Sequence, residues 1–156
     1  MMLRRVVLGL VIALASFGAV GAAGVWALSG GLYGCTSEDE ELGRTLMGLS
    51  VLREHPEGAL PQGEPSKGCD EDDRFVTAWQ TYRAAGSREA VEALYRTAAA
   101  ADGWRPTASG QCYEKQVAGV TAYLSVGYTA DWDEAAAPDE YGVEVIAGLG
   151  GTDWCE

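Results

Sequence analysis

Histidine and lysine are almost absent from this chain of 156 residues, which contains one histidine, His55, and two lysines, Lys67 and Lys115. His55 lies in a stretch rich in proline and glycine. Because it is the one histidine of the chain, the residues after this stretch include no histidine that could activate a nucleophile. No serine stands in a nucleophile elbow, and no glycine-rich run has the spacing of a phosphate-binding or dinucleotide-binding loop. We therefore predict no catalytic residues, no cofactor and a non-enzymatic role.

Closely spaced cysteines are also absent. The four cysteines are separated by 34, 43 and 43 residues, so no C-x-x-C pair exists for zinc binding or redox chemistry. An even number of cysteines behind an export signal predicts disulfides formed in an oxidising compartment. We expect all four to be oxidised: Cys35, Cys69, Cys112 and Cys155.

Positive charge is scarce beyond the N-terminus. All 23 acidic residues lie after residue 35, and the formal net charge of the chain is −12. Such a surface repels the phosphates of nucleic acids and the headgroups of anionic lipids, which argues against both as partners. We interpret the acidity mainly as a means of keeping an exported domain soluble.

The N-terminus supplies the export signal. Arg4 and Arg5 precede residues 6–28, a run of 23 residues without a charge. At about 1.5 Å per residue, this run is long enough to cross a hydrocarbon core about 30 Å thick. The two arginines predict a membrane anchor with the C-terminus outside the cell. Two alternatives remain open: a signal peptide cleaved after the small residues 21–23, or a lipoprotein attached through Cys35.

Three segments follow from this pattern. Residues 1–29 are the transmembrane anchor or signal segment, residues 30–68 are a short helix and a connector, and residues 69–156 are the extracytoplasmic domain. Within the second segment, Ser37 and Glu40 have the form of a capping box, which predicts an amphipathic helix over residues 38–53. Residues 55–68 contain three prolines and three glycines and are predicted to be an extended connector.

Strict alternation of apolar and polar residues over residues 120–128 is the clearest periodic signal, and it predicts a strand with one buried face. Residues 75–82 and 141–147 alternate in the same way, and Gly86-Ser87 begins a helix over residues 88–102. Shorter strands are predicted at Trp104 and at residues 112–115. The order β-α-β-β-β predicts an α+β domain of two layers, with one helix on a mainly antiparallel sheet.

This topology suggests a cysteine pairing. Two strands joined by a helix run in the same direction, so antiparallel pairing puts the end of the fifth strand beside the start of the first. Cys69 and Cys155 share that end of the sheet, which makes Cys69–Cys155 and Cys35–Cys112 the preferred bridges. A Cys69–Cys112 bridge is the alternative.

The sheet face away from the helix is predicted to be where a partner docks. Tyr123 and Ile146 point to this face. If the loop before the fourth strand has three residues, ending at Gly119, then Tyr113 and Lys115 join them. A two-residue turn, Ala118-Gly119, would send Tyr113 and Lys115 to the helix side instead. The competing interpretation is that the N-terminal helix covers this face with Leu42, Leu46 and Leu49. The candidate binding residues are Tyr113, Tyr123 and Ile146.

The acidic loops are the remaining candidate. Asp70, Asp72 and Asp73, with Asp131 or Asp133, could chelate calcium, but they lack the spacing and the glycine of an EF-hand. Adjacent carboxylates are more typical of a solvated turn, so we predict no metal site. A calcium-dependent module or a hydrolase that uses these loops is the alternative function to a membrane-anchored binding domain for an envelope protein or a small ligand.

Three short motifs add a resemblance. Residues 69–73, Gly103-Trp104 and residues 112–115 together resemble small exported proteins of actinomycetes, many of them lipoproteins or membrane-anchored proteins. The resemblance covers about residues 69–147. It implies an envelope location and a domain stapled by disulfides, and it brings no catalytic residues.

Overall fold

The computed structural model of this protein describes residues 34–148 and Cys155. In this part of the chain, seven strands form one sheet in which every pairing is antiparallel, and two α-helices pack on it. The predicted α+β class is confirmed, with two helices on the sheet where one was expected. The helices are α1 (Ser37–Met47) and α2 (Arg88–Ala101), and the strands are β1 (Leu60–Pro61), β2 (Ser66–Cys69), β3 (Phe75–Arg83), β4 (Arg105–Pro106), β5 (Tyr113–Val117), β6 (Val120–Tyr128) and β7 (Glu140–Gly148).

The strand order is β1-β3-β7-β6-β5-β4, and β2 also pairs with β3. The three long strands β3, β7 and β6 are therefore neighbours in the middle of the sheet. Alternate residues of each point to the helices and form the core, as Ala78, Val145 and Leu124 do. The predicted placement of β7 beside β3 is confirmed, because Phe75 at the start of β3 pairs with Gly148 at the end of β7.

Helix α2 agrees closely with its predicted range. The side chain of Ser87 caps it by accepting a hydrogen bond from the backbone of Ala90. Val91, Tyr95 and Ala99 recur every four residues and are buried against the sheet. Burial of this stripe, more than helix propensity, holds α2 in place.

Helix α1 begins one residue earlier than predicted and ends six residues earlier. Thr36, and not Ser37, is the N-cap, and Asp39 completes the capping box. Both the backbone and the hydroxyl of Thr36 donate to Asp39 Oδ2 at 2.7 Å. Burial by itself would raise the pKa of the Asp39 carboxyl. The hydrogen bonds from Thr36 and Arg74 outweigh the effect of burial, so the pKa lies below its ordinary value. The helix ends at Met47 because Leu49 is extended, and a 3-10 turn, Ser50–Leu52, follows.

The position of α1 corrects one expectation. Leu42 and Leu46 belong to the same core as α2, so α1 does not cover the opposite face of the sheet. Strands β1 and β2 lie in the predicted connector and pair with β3. The connector is extended, as predicted, but part of it belongs to the sheet.

The turn between β5 and β6 corrects the predicted register. Val117 pairs with Val120, so the turn has two residues, Ala118 at φ 51° and Gly119 at φ 85°. Positive φ at both positions matches the twist of the flanking strands, which favours the two-residue turn over the longer loop. Tyr113 and Lys115 therefore lie on the helix side, and their predicted place on the opposite face was wrong.

All four cysteines form disulfides, but the preferred pairing was wrong. The bridges are Cys35–Cys69 and Cys112–Cys155. Cys35 directly precedes α1, which packs on β2 and β3, and this brings it beside Cys69 at the end of β2. Cys155 lies instead with Cys112, before β5, on the other face of the sheet.

In residues 34–148, no helix is long and apolar enough to cross a membrane. The predicted span at residues 6–28 and the two alternatives to it concern residues outside the described part of the chain.

Candidate functional site

The face of the sheet opposite the helices carries a groove of about 640 Å³. Antiparallel register brings Trp79 of β3, Glu144 of β7 and Ser125 of β6 side by side across three strands. Two glycines, Gly142 and Gly127, are neighbours in the adjacent row. The absence of side chains at these two positions lowers the floor of the sheet between bulkier residues, and this makes the face concave.

Trp132 forms one wall of the groove. Its indole lies on Gly127, where an added Cβ would come within 2.8 Å of the ring. Glycine is therefore required at residue 127 for the indole to lie this close to the sheet. The side chain is 70% exposed, which is unusual for a tryptophan that no interface covers.

An ion pair holds the loop that carries Trp132. Both oxygens of Asp131 accept hydrogen bonds from the guanidinium of Arg88, at 2.7 and 2.8 Å, and the guanidinium lies 4.2 Å from the ring centroid of Tyr128. The hydrogen bonds from Arg88 lower the pKa of Asp131. Because Arg88 begins α2 and Asp131 adjoins Trp132, the helix layer positions a residue of the opposite face.

Trp79 forms the other wall. It is 38% exposed, and its ring packs over Gly68 of β2, where an added Cβ would lie 3.3 Å from the indole. Strand β2 thus supports the tryptophan from the edge of the sheet. The polar residues Thr77, Thr81 and Ser125 also line the groove, as do Gln111 and Cys112.

Glu144 supplies the charge of the groove. It is the one ionisable side chain among the described residues that line it, and it makes no hydrogen bond or ion pair with any described residue. Desolvation by the surrounding groups raises its pKa above the ordinary value, although part of the side chain remains exposed. A carboxylate in this position has no partner among the described residues and is available to a ligand.

The predicted binding residues lie outside the groove. Tyr123 is 8% exposed and packs with Ile146 against the Cys112–Cys155 disulfide, which covers this part of the face. Tyr113 lies on the helix side and lines a smaller cavity of about 310 Å³ together with Glu92 and Arg96. A binding role for these three residues stays a prediction, and the structure does not bring them together at one site.

The acidic loops do not converge. Asp70 accepts hydrogen bonds from the backbone of Asp72 and Asp73, Asp131 pairs with Arg88, and Asp133 accepts from the backbone of Ala135. In residues 34–148 together with Cys155, no group of three or more potential ligands could hold a metal ion. These carboxylates serve turns and ion pairs.

Two signals in the sequence could have indicated the groove. Alternation along β3 places Trp79 on the face opposite Val76, Ala78 and Tyr82. A glycine inside a strand often marks close approach by another group, and both β6 and β7 contain one. Trp132 left no such signal, because its position depends on the loop after β6.

The fold and the groove together define a two-layer α+β domain with a concave, aromatic sheet face large enough for a small molecule. No family model, no curated protein and no solved structure matches this chain. The groove is therefore the basis on which a function can be inferred.

Proposed function

We propose that this protein is a non-enzymatic binding module that takes a small ligand in the groove between Trp79 and Trp132. The observation that carries the proposal is the pair of exposed indoles on either side of a floor lowered by two strand glycines. Indoles offer large, rigid contact area at low cost in conformational entropy, and they are enriched at binding surfaces. A volume of about 640 Å³ fits a drug-sized molecule or a short peptide segment.

We also propose that the domain lies outside the cell and is anchored in the membrane through residues 6–28. The two disulfides support an oxidising compartment. The Cys35–Cys69 bridge occupies the thiol that lipidation would need, which favours an anchor or a cleaved signal over a lipoprotein. The acidic surface supports neither nucleic acid nor anionic lipid as the ligand.

The test is ¹⁹F NMR of the full-length chain labelled with 5-fluorotryptophan, with a panel of neutral sugars, amino acids, short peptides and organic ammonium compounds. Ligands of the groove are expected to shift the resonances of Trp79 and Trp132. Trp104 is 3% exposed in the core and serves as an internal control that should not shift. Resonances are assigned by single Trp→Phe substitutions.

A matched pair of variants completes the test. Trp79→Ala and Trp132→Ala should each abolish the response of the remaining groove tryptophan to a ligand, because both walls contact it. A ligand whose affinity is the same in both variants as in the wild type is not held between the two indoles and would contradict the proposal. A panel in which no compound shifts either residue would also count against it.

A further inference from the structure

The described residues that line the groove include one acidic side chain, Glu144, and no basic one. Seven of the nine lysines and arginines in residues 34–148 form ion pairs with carboxylates elsewhere on the domain, and Arg53 donates to backbone carbonyls. None of the nine lines the groove. Glu144, in the middle of the groove floor, therefore faces its neighbours without a positive charge from the described residues.

The cross-strand neighbour of Glu144 on β3 is an aromatic residue. Trp79 is its cross-strand partner on β3, and directly opposed residues of an antiparallel pair have Cβ atoms about 5 Å apart. On the other side, the partner of Glu144 is Ser125, which offers a hydroxyl and no charge. Trp79 and Glu144 both line the groove, and an indole and a carboxylate can each attract a cation there.

Apolar contact is available around that point. The exposed indole of Trp132 faces the groove over Gly127, and Gly142 leaves the floor open between the two rings. A strongly hydrated metal ion would gain little from indoles, whereas an ammonium ion with carbon substituents can contact the carboxylate and both rings. A neutral ligand would gain no electrostatic attraction from Glu144 or from the rings.

We propose that the groove binds an organic ammonium ion with apolar substituents, its positive charge held by Glu144 and Trp79 and its carbon groups in contact with Trp132. This inference rests on the proposed function, since it names the class of ligand for the same groove. The chemistry fits a quaternary ammonium compound or a substituted amine.

The test compares two soluble probes of the same shape, choline and its neutral carbon analogue 3,3-dimethylbutan-1-ol. Each is titrated into the full-length chain in a nonionic polyoxyethylene detergent at low ionic strength, with the fluorotryptophan resonances as the readout. Choline is expected to bind at least about tenfold more tightly than the neutral analogue, because only choline engages the carboxylate and the ring electrostatically.

Two variants separate charge from shape. Glu144→Gln keeps the size of the side chain and should weaken choline binding by about tenfold, without changing the affinity for the neutral analogue. Glu140→Gln is the matched control, because Glu140 lies on the same strand and face but does not line the groove. It should leave choline binding unchanged.

Other results would overturn the inference. Equal affinities for the two probes, with no effect of Glu144→Gln, would show a groove that does not select charge, and the proposed binding function would stand. If Glu140→Gln weakened choline binding as much as Glu144→Gln does, choline would be attracted by the acidic surface as a whole and not by the groove. If neither probe shifts Trp79 or Trp132, the ammonium class is wrong, and the broader panel alone decides the proposed function.

Discussion

The two faces of the sheet are built from the same three strands, yet they differ in almost every physical property. On the helix side, Ala78, Val145 and Leu124 lie in one row and are fully buried. One residue away on each strand, Trp79, Glu144 and Ser125 form the row of the opposite face, where one indole and one carboxylate are exposed. Neighbours in the sequence thus belong to two different environments.

The covered face is arranged for stability. Two helices and a 3-10 turn bury it, and the hydroxyl of Tyr82 donates to the carbonyl of Leu52 at 2.7 Å to hold that turn on the sheet. The open face includes features that lower stability: exposed indoles, glycines inside strands and a carboxylate without a counter-charge. Residues retained at the expense of stability are typical of binding sites.

The disulfide on the open face gives the largest expected effect. Replacing Cys112 and Cys155 together by Ser should lower the free energy of unfolding by about 4 kcal/mol, because the bridge closes a loop of 43 residues. Equilibrium denaturation in guanidinium chloride measures the loss. It should also expose Tyr123, which the bridge covers.

The other bridge provides the comparison. Replacing Cys35 and Cys69 by Ser opens a loop of 34 residues, and the same argument predicts a loss of about 4 kcal/mol. This change acts at the start of α1 and should leave the environment of Tyr123 unchanged. An undiminished denaturation midpoint after removal of Cys112–Cys155 would mean that this disulfide does not hold the open face.

The second prediction tests the difference between the faces directly. Leu124→Ala removes a fully buried side chain from the covered face and should cost about 3 kcal/mol of stability. Trp79→Ala removes a much larger side chain from the open face and should cost only about 1 kcal/mol, since the indole is partly exposed and packs mainly on Gly68. Thermal unfolding of the two variants measures both.

A large side chain whose removal lowers the free energy of unfolding only slightly is more typical of a binding site than of a core. If Trp79→Ala destabilised the domain as much as Leu124→Ala, the indole would be a part of the core, and the open face would need another explanation.

The smallest expected effect is an increase in stability. The raised pKa of Glu144 means that the folded protein holds its proton more tightly than the unfolded chain does. The stability that this group contributes is present below the ordinary glutamate pKa of 4.5 and is lost as the pH rises through the higher folded value. Glu144→Gln should therefore match the wild type at low pH and become more stable than it at neutral pH.

The gain should stay below about 1 kcal/mol, because solvent screens an exposed side chain. Melting temperatures of the two proteins between pH 3 and pH 8, in steps of about one unit, measure it. Glu57→Gln removes one charge from an exposed turn and controls for the general repulsion within an acidic protein. The same gain in both variants at neutral pH would attribute the effect to net charge and not to the groove.

Local patterns in the sequence determined the elements that alternate or cap strongly. The range of β6 was predicted to the residue, and α2 was predicted to within one residue, because period-two alternation and a serine cap are local features. The α+β class followed from their order. The oxidation of all four cysteines followed from their number and the export signal.

Tertiary contacts decided the rest. The cysteine pairing depended on α1 packing on β2 and β3, which brings Cys35 to Cys69. A hydrophobic stripe does not specify which face of a sheet it will cover. The register of β5 depended on one residue of turn length, and a shift of one residue exchanges the two faces. The groove required Trp79, Glu144 and Trp132 to meet across three strands and a loop, and pairing between segments distant in sequence is set by the packed sheet as a whole.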